Sequence, residues 1–239
     1  MILDILENLR REAYVRAVIK QSEVDNVVGY VGYKLPIEIF YAMNLTAYPI
    51  YGIDEEILQF SSEKNLCPLI DATITYAKTD KCPLIHSSKL IVIGDTCKAM
   101  TNEILKLKDK NIYVYDNEEN LISKIKEVYN TEFNQDFLIS VREEIQKISD
   151  YIQKLKRDFN LSDLQAFNIE YFTNFLDLDE RMNFLENLSK NNELKNFDDT
   201  NEFVNLIFHC ISCKKFEGGF CNGRLSRNVG IARNGRQNS

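Results

Sequence analysis

Four short β-branched and aromatic runs, separated by helix-length segments, constrain the fold more than any other feature of this chain. They occupy residues 27–31, 47–51, 90–93 and 112–115. Runs of this length and composition are typical of buried strands. Strands that alternate with helices pair in parallel. The sequence therefore predicts an α/β fold, with a Rossmann-like parallel sheet of about four strands within residues 24–116 that is followed by a helical segment.

From about residue 118 the apolar residues recur at helical spacing, and Ser162 is a candidate N-cap for one of the helices. The final residues, 214–239, hold five of the nine glycines and six basic residues against one acid. The chain is therefore predicted to divide into a Rossmann-like domain with an N-terminal helix (1–117), a helical segment (118–213) and a flexible basic tail (214–239). One stripe in the helical segment is predicted to face the core: Phe137, Val141, Ile145, Ile148, Ile152 and Leu155.

Charge and hydropathy exclude several classes of partner. The formal charge of −7 argues against binding to a phosphate backbone, which requires clustered Lys and Arg. The charged N-terminus does not resemble a signal peptide, and the longest strongly apolar run, 90–93, is far shorter than the roughly 20 residues that cross a bilayer. We expect a cytoplasmic protein with neither a nucleic-acid nor a membrane partner, in which the six cysteines are thiols or metal ligands.

Three cysteines recur at fifteen-residue steps in similar surroundings: Cys67 and Cys82 each precede a proline, and Cys97 follows Asp95 and Thr96 directly after a predicted strand. Ligands collect in the loops beyond the carboxyl ends of parallel strands, and helix N-termini there favour the thiolate that binds iron. Asp95 and Thr96 are expected to cap the next helix or to hydrogen-bond a ligand. Spacing alone also allows buried cysteines that act only as small apolar side chains.

Two other groups are weaker candidates. Glu38 lies in the first turn of a predicted helix, where a carboxylate is either catalytic or simply favoured by the helix dipole. Cys210 and Cys213, with Cys221 and His209 nearby, form either a second metal site or a set of incidental thiols, because an isolated CxxC pair lacks the regular four-ligand spacing of a zinc ribbon.

A family resemblance links several of these segments. The chain resembles the 2-hydroxyacyl-CoA dehydratase family over its N-terminal part, about residues 24–116. This family is also called the 2-hydroxyglutaryl-CoA dehydratase D-component type, and it includes double-cubane-cluster proteins. The matching segments, in the same order, are Val28-Gly29-Tyr30-Val31-Gly32-Tyr33, Pro36-Ile37-Glu38-Ile39-Phe40-Tyr41, Asn65-Leu66-Cys67-Pro68, Thr79-Asp80-Lys81-Cys82-Pro83 and Ile93-Gly94-Asp95-Thr96-Cys97.

The resemblance implies an oxygen-sensitive 4Fe–4S cluster with Cys67 and Cys97 as iron ligands and Cys82 as a less certain one. It further implies dehydration or reduction of an acyl-CoA-type substrate, a lyase or related iron–sulfur reductase. A second subunit of the family or a homo-oligomer and a separate ATP-dependent activator are the expected partners.

Two departures from the family pattern leave an alternative open. Lys98-Ala99-Met100 stands where the family has Asp-Gly followed by lysines, and a glycine-rich basic tail stands where its second Rossmann-like domain is expected, near residue 210. A truncated or degenerate member that serves as a non-catalytic scaffold subunit has both features. A third possibility is a small-molecule-binding α/β domain with structural cysteines.

Overall fold

The computed structural model describes residues 1–61, 67–197 and 200–212 of the protein. The strands are β1 (Val27–Val31), β2 (Thr46–Pro49), β3 (Leu90–Ile93) and β4 (Asn111–Val114). The helices of the first half are α1 (Ile2–Glu23), α2 (Ile37–Ala42), α3 (Pro68–Lys78), α4 (Pro83–Ser87) and α5 (Lys98–Ile104), and those of the second half are α6 (Glu118–Tyr129), α7 (Gln135–Asp158), α8 (Asp163–Thr173), α9 (Leu178–Ser189) and α10 (Glu202–Ser212). Two 3-10 helices span Glu55–Phe60 and Asn192–Asn196.

The four strands form one parallel sheet in the order β2-β1-β3-β4. This confirms the predicted α/β class and the Rossmann-like parallel sheet. The second and fourth strands begin one residue earlier than predicted, and β2 ends at Pro49. As a result Tyr51, which the apolar run placed inside a strand, lies in the loop beyond it.

Helices cover both faces of the sheet. Side chains of α2, α6 and α7 form one buried cluster with Val28, Leu90 and Val92. A larger cluster on the other face draws on α1, α3, α4, α5, α8 and α10 and contacts Val31 and Ile93. β1, β2 and β3 are therefore buried on both sides, as expected where crossover helices shield a parallel sheet, whereas the edge strand β4 is partly exposed.

The helical second half packs directly on the first. Helix α7 lies against α2, α8 and α9, and α8 lies against α1. Ser162 caps α8 as predicted, in a capping box with Gln165. One member of the predicted stripe was wrong: Phe137 is 48% exposed because Leu138, three residues before Val141, takes the inward position in the first turn.

Several sequence-based predictions fall on residues that the structure does not describe. The basic tail, with Cys213 and Cys221, lies outside the described residues. Among the helices that are described, none is both long enough and apolar enough to cross a bilayer.

Candidate functional site

The carboxyl ends of β1 and β3 flank the point at which the order of the sheet reverses. From β1 the chain crosses to β2 on one side, whereas from β3 it crosses to β4 on the other. In open α/β sheets this switch point is the usual position of a ligand crevice. The loops that border it are residues 32–36, after β1, and residues 94–97, after β3.

These two loops are tied to each other through their backbones. The Tyr33 N–H donates to the Asp95 carbonyl at 3.0 Å, and the Asp95 N–H donates to the Tyr33 carbonyl at 2.9 Å. Gly32 has a φ of +95°, and a Cβ at that position would lie 2.7 Å from the Gly94 carbonyl carbon. Because a side chain would force these backbones apart, Gly32 permits the close approach that fixes the segment leading to Cys97.

Asp95 and Thr96 do not cap the following helix, so the capping prediction for them was wrong. The Asp95 carboxylate accepts from Lys34 Nζ at 2.9 Å, and this hydrogen bond lowers the pKa of Asp95. The Thr96 side chain instead hydrogen-bonds Tyr51.

Cys97 is itself the N-cap of α5. Its sulfur accepts a hydrogen bond from the Met100 N–H at 3.4 Å, and the side chain is partly buried. The thiol thus lies at the switch point, beside the N–H groups of a helix start.

Cys67 stands in the corresponding position before α3. It is the N-cap residue of that helix, with Pro68 in the first helical position. Burial raises the pKa of the Cys67 thiol, while the backbone N–H groups of Leu69 and Ile70 act in the opposite direction. A negative charge on Cys97 would further raise this pKa. Helix α3 packs against α5, so the two cysteines precede neighbouring helices. The structure therefore brings Cys67 and Cys97 to one edge of the sheet.

Cys82 does not join them. It precedes α4, is 2% exposed, and is packed in the core. Burial raises its pKa, and the Arg10 guanidinium opposes that effect. Burial lowers the pKa of Lys110, the residue directly before β4, and a negative charge on Cys82 acts against that effect. Cys82 is therefore directed toward the amino-terminal edge of the sheet, away from the pair at the carboxyl edge.

Tyr51 lies between the loops at the switch point and is 7% exposed. Its hydroxyl accepts a hydrogen bond from the Gly32 N–H at 2.7 Å and is also hydrogen-bonded to Thr96. Burial raises the pKa of Tyr51, the Gly32 N–H lowers it, and nearby Cys210 and Cys97 both raise it. Two cysteines from distant parts of the chain thus approach the same phenol.

A pocket of about 250 Å³ adjoins Tyr51. The lining combines aromatic and aliphatic side chains from β1, the loops after β1 and β2, α2, α8 and α10, with one acid, Glu170. The Glu170 side chain is open to the pocket, yet the protein around its carboxyl raises its pKa, and Arg181 partly offsets this rise. The hydroxyl of Tyr171 in the same wall is buried and has no hydrogen-bond partner among the described residues.

Glu38 is not part of this pocket lining. It lies in the first turn of α2, as predicted, and its carboxylate accepts from Arg142 Nε of α7 at 3.1 Å. Since the ion pair joins two packed helices, the structure gives Glu38 an evident structural partner and no approach to the cysteine pair.

The donor set of Cys67 and Cys97 suits an iron–sulfur cluster: two partly buried thiols, each beside the N–H groups of a helix start. Soft thiolates are the ligands that such clusters prefer. Within the described ranges, no three His, Cys, Asp or Glu side chains are grouped tightly enough for a single metal ion. A cubane cluster is larger than one ion and spaces its thiolates more widely.

No protein-family model matches the chain. The chain is similar to an Escherichia coli (strain K12) protein described as "Putative dehydratase subunit YjiM". The two are 27% identical over 99 residues, which is 40% of this chain and 26% of that protein. The match thus spans about a quarter of the length of the curated relative.

Sequence reasoning missed Glu170, Tyr171 and the position of Tyr51. Glu170 is one of 36 acidic residues, and no local motif distinguishes it from a solvated helix residue. A signal was present for Tyr51, because Pro49 and Gly52 around it indicate the end of a strand.

Proposed function

We propose that this chain is an iron–sulfur subunit of the 2-hydroxyacyl-CoA dehydratase type, with Cys67 and Cys97 as ligands to a 4Fe–4S cluster. What supports the proposal is that Cys67 and Cys97 occupy the N-cap positions of two helices, α3 and α5, that pack against each other. The similarity to a dehydratase subunit supports the same class.

A bound cluster would supply one-electron transfer or Lewis-acid chemistry to a thioester substrate. The protein's own contribution is positional. The paired loops hold Cys97, and Tyr51, which lines the pocket, accepts a hydrogen bond from the Gly32 N–H in one of these loops. The apolar part of the pocket wall suits the acyl part of a substrate.

Glu170 is the proposed proton-transfer residue in the pocket. Its side chain is open to the pocket, and its raised pKa brings proton exchange closer to neutral pH. The hydroxyl of Tyr171, which has no partner among the described residues, is available to hydrogen-bond a polar group of the substrate.

Anaerobic purification and reconstitution with ferrous iron and sulfide test the proposal. We expect about four iron and four acid-labile sulfide per cluster and a broad visible absorbance. Cys97→Ser is an informative variant because serine is a preferred N-cap, so α5 keeps its cap while iron loses a soft ligand. The variant is expected to fold with unchanged circular dichroism and to lose most of its iron.

Cys82→Ser is the matched control, since Cys82 also caps a helix but lies away from the pair. Loss of iron from the Cys82 variant with full retention in the Cys97 variant would show that the ligands are misassigned. A folded wild-type chain that takes up no iron would refute the cluster and favour the non-catalytic scaffold.

A second subunit is part of the proposal, because the similar protein is described as a subunit and the aligned segment is a quarter of it. A homo-oligomer is the other arrangement to be tested, and a separate ATP-dependent activator is proposed as the electron source.

A further inference from the structure

Strand β4 forms the exposed edge of the sheet. At the opposite edge every residue of β2 is buried, whereas the residues of β4 are exposed or half-buried. Val114, the last residue of the strand, is 46% exposed. Among the residues that the structure describes, β4 pairs with β3 and with no other strand. Such an edge presents N–H and C=O groups that another strand can pair with.

The backbone of β4 shows which of its groups point outward. The Tyr115 N–H, directly after the strand, donates to the Ile93 carbonyl of β3 at 2.8 Å. Because backbone groups alternate sides along a strand, those of Tyr113 also face β3, and those of Ile112 and Val114 face away from it. The outward side of β4 therefore carries the donors and acceptors of two β-branched residues.

The charges around β4 differ in sign between its two ends. Lys108 and Lys110 precede the strand, with Asp109 between them, whereas Asp116 and Glu118 follow it. Both lysines and both of the following acids lie within a few residues of the strand, so an antiparallel pair of β4 strands would place the basic end of one beside the acidic end of the other. A parallel pair would place like charges together, which is unfavourable. Since several of these groups have hydrogen-bond partners inside the chain, their charges favour an orientation and do not require new ion pairs.

We infer that β4 pairs with β4 of a second copy of this chain, antiparallel and centred on Tyr113, so that the two sheets become continuous. In this register Ile112 faces Val114 of the second copy, and Tyr113 faces its own equivalent. The Ile112–Val114 pair exchanges both of its backbone hydrogen bonds, and its side chains form a β-branched pair that covers the exposed Val114.

A second copy is the occupant because the edge complements itself. In the same register Lys110 faces Asp116, and Lys108 lies beside Glu118. A two-fold contact repeats each of these pairs on both sides of the axis, as an isologous interface requires. The inference selects the homo-oligomer among the arrangements proposed above, and it does not depend on the cluster.

Sedimentation velocity over a wide range of protein concentration tests the contact in the full chain. We expect a dimer in the wild type and a dissociation constant at least about tenfold higher in Val114→Pro, because proline removes an outward N–H and leaves the bonds to β3 intact. Val114→Lys is a second variant that keeps the backbone N–H, and Val15→Lys, at an exposed position on α1, is its control. Circular dichroism establishes that each variant is folded, and if the proline variant does not fold, the two lysine variants decide.

Mild oxidation of single-cysteine additions tests the register. In a non-hydrogen-bonded antiparallel pair the Cα atoms are about 4.5 Å apart, within the range that a disulfide spans. Tyr113→Cys is therefore expected to form a disulfide between copies through residue 113, identified by peptide mass spectrometry. Val114→Cys is the matched control, because Val114 faces Ile112 and not its own equivalent. Wild-type protein, with its six native cysteines, sets the background.

A wild type that stays monomeric at every concentration would overturn the inference, as would a dimer that none of the Val114 variants weakens. A disulfide through residue 114 in place of residue 113 would overturn the register. These outcomes are separate from failure of the proposed function: a monomer that binds iron refutes the edge contact alone, and a dimer that binds no iron refutes the cluster alone.

Discussion

The carboxyl group of Glu170 experiences two opposing influences. Burial of the carboxyl against the protein raises its pKa, and the Arg181 guanidinium lowers it by a smaller amount. Arg181 is 3% exposed and donates to Asn174 at 3.0 Å and to the hydroxyl of Tyr41, so its charge is held in place by neutral partners. Glu170 therefore keeps its proton to a higher pH than an ordinary glutamate.

A stability measurement can check this environment without substrate. Because the folded pKa lies above the ordinary value of 4.5, Glu170 contributes stability below pH 4.5, and this contribution is lost as the pH rises through the folded pKa. We expect the Glu170→Gln variant to lack this loss of stability. Between about pH 4 and 7, the melting temperature of the variant should therefore decrease less than that of the wild type. Glu119→Gln, at an exposed position on α6, is the control, and parallel curves for Glu170→Gln and wild type would contradict the prediction.

Residue identity alone could not predict which side chains meet. Cys67 and Cys97 were accessible from sequence because each directly precedes a helix and local patterns locate helix starts. Ile207 and Tyr51 line one pocket only because α10 packs against α3 and α8. That contact depends on how distant helices cover the sheet, which no local pattern records.

At the level of elements, the loops after β1 and β3 behave as one unit. Their backbone pairing through Tyr33 and Asp95 extends the contact between two parallel strands beyond the sheet. Gly32 makes this possible through its positive φ and its lack of a Cβ. The placement of Cys97 thus depends on a residue in a different loop.

Gly32→Ala is expected to destabilise the fold by about 1 to 3 kcal/mol, since the new methyl group meets backbone and the left-handed conformation is strained. The same variant is expected to bind less iron, because the loop that leads to Cys97 is displaced. Urea unfolding and iron analysis measure the two effects. Lys34→Gln, in the same loop, removes an exposed ion pair with Asp95 and an exposed contact with the Tyr33 ring, and it is expected to cost less than about 1 kcal/mol. Equal losses in the two variants would argue against the close-approach explanation.

The elements themselves were largely predictable because their signals are local. Apolar runs at strand length predicted all four strands of the sheet, and Ser162 predicted the start of α8. The errors arose where tertiary packing chooses between neighbouring residues, as with Leu138 in place of Phe137. The predicted boundary at residues 117 and 118 stays a prediction.

At the scale of the whole molecule, α1 connects the two halves of the chain. Near its C-terminal end, Lys20 Nζ donates to Asp177 at 2.7 Å, and Arg16 donates to Glu180 of α9 at 2.7 Å. Near its middle, Arg10 is buried against the first half. The N-terminal helix therefore joins the sheet to the helical segment.

The Arg10 contact is the most buried of these ion pairs. Its guanidinium donates to Asp54 Oδ2 at 2.5 Å, and the Tyr76 hydroxyl donates to the same oxygen at 2.6 Å. The Arg10 side chain is 5% exposed and that of Asp54 is 42% exposed. Burial raises the pKa of Asp54, but Arg10 and Tyr76 together outweigh it, so the net pKa is lowered. One carboxylate thus joins α1 and α3 to the loop after β2.

Asp54→Asn is expected to destabilise the protein by about 2 to 3 kcal/mol, because it leaves a buried guanidinium without its counter-charge. The loss is smaller than that of a fully buried pair because Asp54 is partly solvated. Asp25→Asn is the matched control, since its partner Lys89 is 39% exposed and asparagine tolerates the left-handed backbone at that position, with a φ of 49°. We expect the control to change stability by less than about 1 kcal/mol.

A lowered folded pKa means that the Asp54 contribution is present above pH 3.8 and fades as the pH falls, so the difference between Asp54→Asn and the wild type should shrink below that pH. Denaturant unfolding at pH 7 and at about pH 3 measures this, and a difference that is the same at both pH values would show that Asp54 stabilises the fold through its shape and not through its charge.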